Sequence, residues 1–426
     1  MSGRADEAPG GTARRLLRRV TPAPAWRAGR DVRDLLRSAA ARHRAAARLR
    51  ALRAFGSWRM RRAGLTRAAG AREVVGVCLL EHLGDIVAAE PVAGHVRSRH
   101  PDAVLVWVVS RRYADLVRHH PQVDAILELG CLTEWIHLRE RRLFDRLYDL
   151  NLHGRDCAVC HVPLQRPPQE RTVTVKNYYD HGCLLDVFCA AAGLPRLAAA
   201  PRLHLPPAAE AAAEALSLPP RFVTIHGRSH QDARDWRPER WRALVEALVQ
   251  EHGVSVVEVG LQSALDRPPR DAAGARTSIA GGADRPAVAG ATVAGAAVAG
   301  ATVAGPVAAE EAAARYVDLC GRLSLAQTAA VVRRAELFVG IDSGPAHLAA
   351  AAGVSGVVLL GHYRHYRSYV PYSGPWADGS GADLVRNFDG PAADLPVERV
   401  LAAVLRRLDA AGRDRPAGAL PDGGRR

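Results

Sequence analysis

The sequence predicts an α/β protein built from two doubly wound, mostly parallel sheets. Three observations carry that prediction. Short apolar runs alternate with helical stretches from residue 73 onward. The alternation stops at a proline-bounded connector and restarts near residue 221. The chain has 426 residues, too many for one compact core and enough for two domains of ordinary size. Hydrophobic residues make up 48% and aromatics only 5%, so Ala, Val and Leu must fill both cores.

The elements follow in order. Residues 1–30 are rich in Gly, Pro and Arg and are expected to be disordered. Residues 31–68 read as a helix with a modest apolar stripe (Leu35, Leu36, Ala39, Leu49, Leu52, Phe55), able to lie on a membrane surface or to pack on the body. The run 74–80 fits a buried parallel strand, followed by a polar turn at Glu81–Asp85 and a helix to about Arg99. Strands are expected at 103–109 and 125–129, with a helix at about 112–119 between them. The first domain is set at 73–205, and Pro206–Pro220 reads as an Ala-rich helical connector. The second domain, 206–395, restarts with a strand at 221–226 and a helix from Pro238 to Glu251 that carries Pro in its first turn. A strand at 254–259, a helix at 325–335 capped by Ser324, a strand at 337–341, a helix at 345–352 and a strand at 356–360 complete it. Residues 267–309, with Ala-Thr-Val-Ala-Gly repeats, read as a low-complexity surface insertion. Residues 396–410 form an amphipathic helix, and a disordered tail is expected to 426.

Three turns at strand ends carry the candidate chemistry. In Gly340–Ala350, a strand ends at Asp342-Ser343-Gly344-Pro345 and a helix begins. Free N–H groups and the helix dipole suit a phosphate, Ser343 adds a hydroxyl, Gly344 permits close approach, and His347 lies one turn in. An ordinary capped helix would read the same way. In Glu81–Asp85, Gly84 permits the turn and Asp85 opens the helix, either as a general base or as a cap alone. In the third, His226, Gly227 and Arg228 end a strand, and Arg234 and Arg237 precede the next helix, where guanidinium groups can neutralise a diphosphate or be merely solvated. The loop 361–369, dense in aromatics and cations, is a further candidate for stacking on a sugar or base.

These segments together resemble the ADP-heptose glycosyltransferase family, the heptosyltransferases of lipopolysaccharide core assembly and their relatives. The resemblance rests on Leu83-Gly84-Asp85 with Pro91 and His100-Pro101-Asp102-Ala103, on Trp236-Arg237-Pro238-Glu239-Arg240-Trp241, and on Cys320-Gly321-Arg322-Leu323-Ser324-Leu325 leading into Asp342-Ser343-Gly344-Pro345-Ala346-His347. It covers roughly 73–375 without the insertion, and its motifs are specific as a set and weak singly. It implies a GT-B fold, in which two Rossmann-like domains face each other across a cleft. It also implies metal-free, inverting transfer of a sugar from a nucleotide diphosphate, with no cofactor and no metal ligands. On that pattern Asp85 is the base and Gly84 part of its turn. At the helix after Asp342, itself counted among the substrate-binding residues, Ser343, Gly344 and His347 hold the diphosphate, with His226 and Arg228 on the same sheet edge and Arg234 or Arg237 supplying positive charge. Leu323 falls where the family lines the nucleoside pocket. The family's lysine before the Trp is absent. Its acidic residue near the ribose is replaced by Gln262, unless Glu258 serves. A related nucleotide-sugar epimerase and a non-catalytic nucleotide-sugar-binding protein are the rival readings.

Charge and cysteine usage complete the picture. Residues 1–72 carry a net charge of +15 and the remainder −1, so the high overall charge belongs to the arm. The arm reads first as a solvated, partly helical extension and otherwise suits an anionic membrane surface; a basic arm can also bind nucleic acid, but no such partner is expected. No run reaches the ~18–20 apolar residues of a membrane span, and Arg interrupts the N-terminal apolar runs. The expectation is a cytoplasmic protein, peripheral at the inner face of the membrane where the arm engages it, with its seven Cys reduced. The acceptor is expected to be a glycan, a lipid-linked glycan or a small metabolite. Cys157-Ala158-Val159-Cys160-His161 has the spacing of haem attachment or of a zinc site shared with Cys183 or Cys189. Ordinary buried cysteines are the favoured expectation.

Overall fold

The computed structural model describes residues 25–70, 73–229, 234–265, 315–362 and 369–413. The expected 267–309 insertion, most of the 361–369 loop, residues 1–24 and the tail after 413 lie outside the described residues.

The first half is a four-stranded sheet of β1 (Val74–Cys78), β2 (Val104–Ser110), β3 (Ala125–Leu129) and β4 (Arg146–Asp149), in the order β3-β2-β1-β4. Every pairing is parallel. The second half is a six-stranded parallel sheet of β5 (Val223–His226), β6 (Val256–Glu258), β7 (Tyr316–Asp318), β8 (Leu337–Ile341), β9 (Ser355–Leu360) and β10 (Ala382–Arg386). Its order is β7-β6-β5-β8-β9-β10. Both sheets therefore place their first strand beside their fourth, the doubly wound arrangement in which ligands bind at the switch point between those two strands. β1, β2, β5 and β8 are buried along their whole length, which is why each reads as a continuous apolar run.

Several expectations needed correction. The stretch expected as a helix at 112–119 is a short 3₁₀ segment, Arg111–Leu116. β4 was not expected, because an edge strand reading Arg-Leu-Tyr-Asp has no apolar run to betray it. The helices α4 (Leu132–Leu138) and α5 (Leu184–Ala191) and the strands β7 and β10 were likewise unforeseen.

The arm is a 45-residue helix, α1 (Ala25–Ala69), and from about residue 47 it packs on the body. Ala47, Ala51 and Trp58 are buried against β1–β3 and α4, and the Trp58 indole N–H donates to the Leu143 carbonyl at 3.2 Å. Arg50 Nε donates to Glu134 Oε1 at 2.5 Å, while Glu134 Oε2 accepts the Gly130 N–H at 2.8 Å. Arg62 reaches the Leu143 carbonyl and Asp145. On the other faces of the two sheets, one apolar cluster runs unbroken from β1–β2 and α5 into β8, β9 and Trp376. The halves are thus joined by core.

Candidate active site

The two turns that the sequence singles out stand at the switch points and meet. The first follows β1: Glu81 and His82 lead into α2 (Leu83–Ala88). The second follows β8: Asp342 and Ser343 lead into a helix over Gly344–Ala351, labelled α9 because α6 (Pro207–Glu214), α7 (Pro238–Glu246) and α8 (Leu325–Arg333) precede it. A β-carbon on Gly84 would stand 2.6 Å from His347 Cδ2, and one on Gly344 would collide with the Leu83 side chain. The glycines are required by the opposing half of the molecule. The N-terminal ends of α2 and α9 therefore face each other in direct contact, where an open gap had been expected.

Asp85 is the third residue of α2. Its Oδ2 accepts from the His82 N–H at 3.1 Å and from Arg155 Nη2 at 3.1 Å. Among the described residues both bonds fall on Oδ2, which leaves the Oδ1 lone pairs able to take a proton. Arg155 comes from the loop after β4, the neighbour of β1 at the switch point. Sequence reading missed it, because its relation to Asp85 depends on a strand that was not recognised.

At the second turn Asp342 is buried, with Oδ1 accepting from the Tyr372 hydroxyl at 3.1 Å. Arg234 Nη1 donates to the Asp342 carbonyl at 3.4 Å and lies 3.6 Å from its Oδ2. Ser343 Oγ turns back to the Ile341 carbonyl and does not cap the helix, so the hydroxyl remains a rotatable donor at the mouth of α9. Burial pushes the His347 imidazole below its usual pKa; Asp342 and Asp85 pull it up and Arg234 adds to the lowering. Its ring lies 4.7 Å from that of Tyr372. Arg386, on β10, is half-buried, and among the described residues its Nη1 has no hydrogen-bond partner; burial lowers its pKa and Asp342 counters this. Tyr372 and Arg386 carry no motif, so only the fold reveals them.

The remaining candidates divide. His226 ends β5 beside β8, buried, with Nδ1 against the Val259 carbonyl at 2.9 Å; burial lowers its pKa. Arg228 is half-buried in the loop that follows. Arg237 pairs with Asp394 at 2.6 Å, so Arg234 is the cation brought to the Asp342 turn. The two tryptophans around it are packing residues: Trp236 and Trp241 are buried edge to face, and Trp236 Nε1 donates to the Leu395 carbonyl. Gln262 is exposed on the loop after β6, and Leu323 is half-buried against the core. Glu258 does not face a ligand. It is fully buried, accepting from Ser263 Oγ, the Ala264 N–H and the Tyr316 hydroxyl, and so holds the 260–265 loop.

A cavity of about 1140 Å³ opens between residues 179–200 of the first half and 369–378 of the second. Tyr179, Asp186, Tyr369 and Tyr372 are among its lining residues. Tyr372 is the link between this cavity and the Asp342 turn.

A family model described as glycosyltransferase family 9 (heptosyltransferase) matches residues 289–378, the segment that contains the Asp342 turn, His347 and Tyr372. A family 9 glycosyl transferase from Veillonella parvula has a similar structure, with 15% identity, a TM-score of 0.54, and coverage of 80% of this chain and 98% of that one. The E. coli ADP-heptose lps heptosyltransferase II is similar at 18% identity and a TM-score of 0.54, covering 80% of this chain and 99% of that one. At these identities the two structures establish the fold, two Rossmann-like domains of the GT-B kind. No curated protein sequence matches the chain. Over residues 289–378 the resemblance read from the motifs is borne out by the family model, and the similar structures bear out the fold.

Proposed function

We propose that the chain is an inverting glycosyltransferase that moves a heptose from ADP-heptose onto a hydroxyl of a cell-surface glycan, a lipid-linked glycan or a metabolite. One observation carries the reading. The helix that carries Asp85 and the N-terminus of α9 come from different halves, yet Gly84 packs against His347 and Gly344 against Leu83. The E. coli structure is named for ADP-heptose, and that donor is carried over here as part of the proposal.

The chemistry follows from the groups present. Asp85 Oδ1 takes the proton of the acceptor hydroxyl, whose oxygen attacks the anomeric carbon from the face opposite the diphosphate. The bond between that carbon and the diphosphate oxygen breaks, and the electron pair leaves with the nucleotide. The developing charge is met by the positive end of the α9 dipole, by Ser343 and His347, and by the Arg234 guanidinium. Arg386 adds a second, half-buried cation near Asp342. Fixed dipoles and cations of this kind can serve a leaving diphosphate in a transfer step without metal. Arg155 holds the Asp85 carboxylate in place through Oδ2.

No helix among the described residues is long and apolar enough to cross a membrane. With its Trp58 side fixed to the body, α1 turns Arg44, Arg48 and Arg53 outward, a face suited to anionic lipid at the inner surface of the membrane.

The test is a thermal-shift screen of nucleotide sugars followed by transfer assays. A true donor raises the melting temperature by mass action. Asp85→Ala should keep that shift for ADP-heptose and lose transfer. Normal turnover by the variant would remove Asp85 from the mechanism, and no shift with any nucleotide sugar would remove the donor assignment.

A further inference from the structure

Outside the site, three cysteines converge in the core of the first half. Cys131 stands between β3 and α4, while Cys157 and Cys160 lie in a tight hairpin after β4. All three are buried, and their sulfurs lie within 4.8 Å of one another. The sulfurs of Cys131 and Cys160 are 3.8 Å apart. Thiolates about 2.3 Å from a tetrahedral zinc ion sit roughly 3.8 Å from each other, so this spacing is that of a shared ion.

The hairpin has the backbone of a metal knuckle. The Cys157 N–H donates to the Val162 carbonyl and the His161 N–H to the Cys157 carbonyl, closing the turn. The Cys160 N–H points at Cys157 Sγ, 3.4 Å away. An amide aimed at sulfur stabilises the thiolate and does little for a thiol. The Thr133 hydroxyl lies beside the same sulfurs. Directly after the second cysteine, His161 has φ 53°, a left-handed conformation that a residue with a β-carbon adopts only where its surroundings hold it. Thiols serving only as small apolar fillers need neither feature. The expected partners of this motif are not the ones found: Cys131 completes the set in place of Cys183 or Cys189, and His161 is exposed.

Glu81 is buried near this hairpin and, among the described residues, keeps Oε2 without a hydrogen-bond partner, but its carboxylate lies outside the sulfur cluster.

We infer that Cys131, Cys157 and Cys160 bind a structural zinc ion, with a water as the fourth ligand. The ion pins the hairpin 155–164, whose first residue is the Arg155 that pairs with Asp85. It takes no part in sugar transfer, and the inference stands whether or not the donor is ADP-heptose.

The experiment measures metal in the full-length protein, expressed with zinc and purified under reductant without chelator. Mass spectrometry should find about one zinc per chain. Cys157→Ser should hold less than about a tenth of that, while Cys183→Ser should match wild type. Should Cys157→Ser fail to fold, the wild type decides alone: exchange into cobalt should give a thiolate-to-metal charge-transfer band in the near ultraviolet, and chelation should make three further thiols titratable. Folded wild-type protein without bound zinc and without the cobalt band would overturn the assignment. Peptide mapping that found a native Cys131–Cys160 disulfide would overturn it equally.

Discussion

At the position of Gly84 the added methyl of an alanine has nowhere to go. The α2 backbone there could accept a side chain, but His347 of the other half lies 2.6 Å from where Cβ would be. Neither partner can give way cheaply, because His347 is itself buried between Asp342 and Tyr372. Overpacking of this kind costs roughly 1–3 kcal/mol. Gly84→Ala should therefore lower the melting temperature and weaken nucleotide-sugar binding together, since the methyl separates the two turns that form the site. Unchanged donor affinity in a folded Gly84→Ala protein would show that the contact between turns has no part in binding. Arg234 acts on the same turn from another direction. Removing a charge-assisted contact of this kind costs about 1.5–3 kcal/mol, or roughly 10- to 100-fold in affinity. Arg234→Ala should weaken ADP binding by that factor. Arg237→Ala, which loses only an exposed pair with Asp394, should bind as wild type does. Isothermal titration with ADP distinguishes the two, and equal losses would mean the assignment between these arginines is wrong.

Among the elements, those whose burial is complete on both faces were legible and those at the edges were not. β1, β2 and β8 announce themselves as unbroken apolar runs, and the turns after β1 and β8 carry glycine at the positions where the halves touch. β4 is half-exposed and polar, so periodicity could not find it, and Arg155 was hidden with it. The same logic explains Glu258: an acid at a strand end reads as a ribose ligand, and only the fold shows its oxygens turned to Ser263, Ala264 and Tyr316. The arm illustrates the reverse problem. Its Arg-rich sequence allowed a membrane helix or a packed one, and the decision depends on Trp58, buried beside Phe144 at 5.6 Å between rings. Truncating a buried Trp costs about 3–5 kcal/mol. Trp58→Ala should loosen α1 from the first half by about that amount, visible as a lower midpoint in urea unfolding and as early proteolysis within residues 40–65. A midpoint unmoved by the substitution would mean that the arm is not part of the folded unit.

Across the whole molecule, one carboxylate anchors the segment that leads from the first half into the second. Glu90 Oε1 receives both His120 Nε2 and His204 Nε2 at 2.9 Å, and Oε2 accepts the Arg202 N–H at 2.9 Å. His120 Nδ1 accepts the Gln122 N–H, which fixes the ring as the Nε2–H tautomer when neutral and makes it a donor to Glu90. His204 and Arg202 belong to the segment that leads from the first half into α6, so Glu90 ties that connector to the N-terminal end of α3 (Pro91–Arg99). Burial alone would raise the Glu90 pKa, but the bonds from His120, His204 and Arg202 outweigh it and hold it below the usual carboxylate range. A carboxylate depressed in the folded state adds stability that is fully present above its unfolded pKa of about 4.3, and that stability is lost as pH falls through the folded pKa. Wild type should therefore melt higher than Glu90→Gln at neutral pH, and the difference should narrow as pH drops below about 4. Scanning calorimetry across that range checks the sign: a difference that persists undiminished to the acid limit would mean the connector is held by shape alone and not by the charge on Glu90.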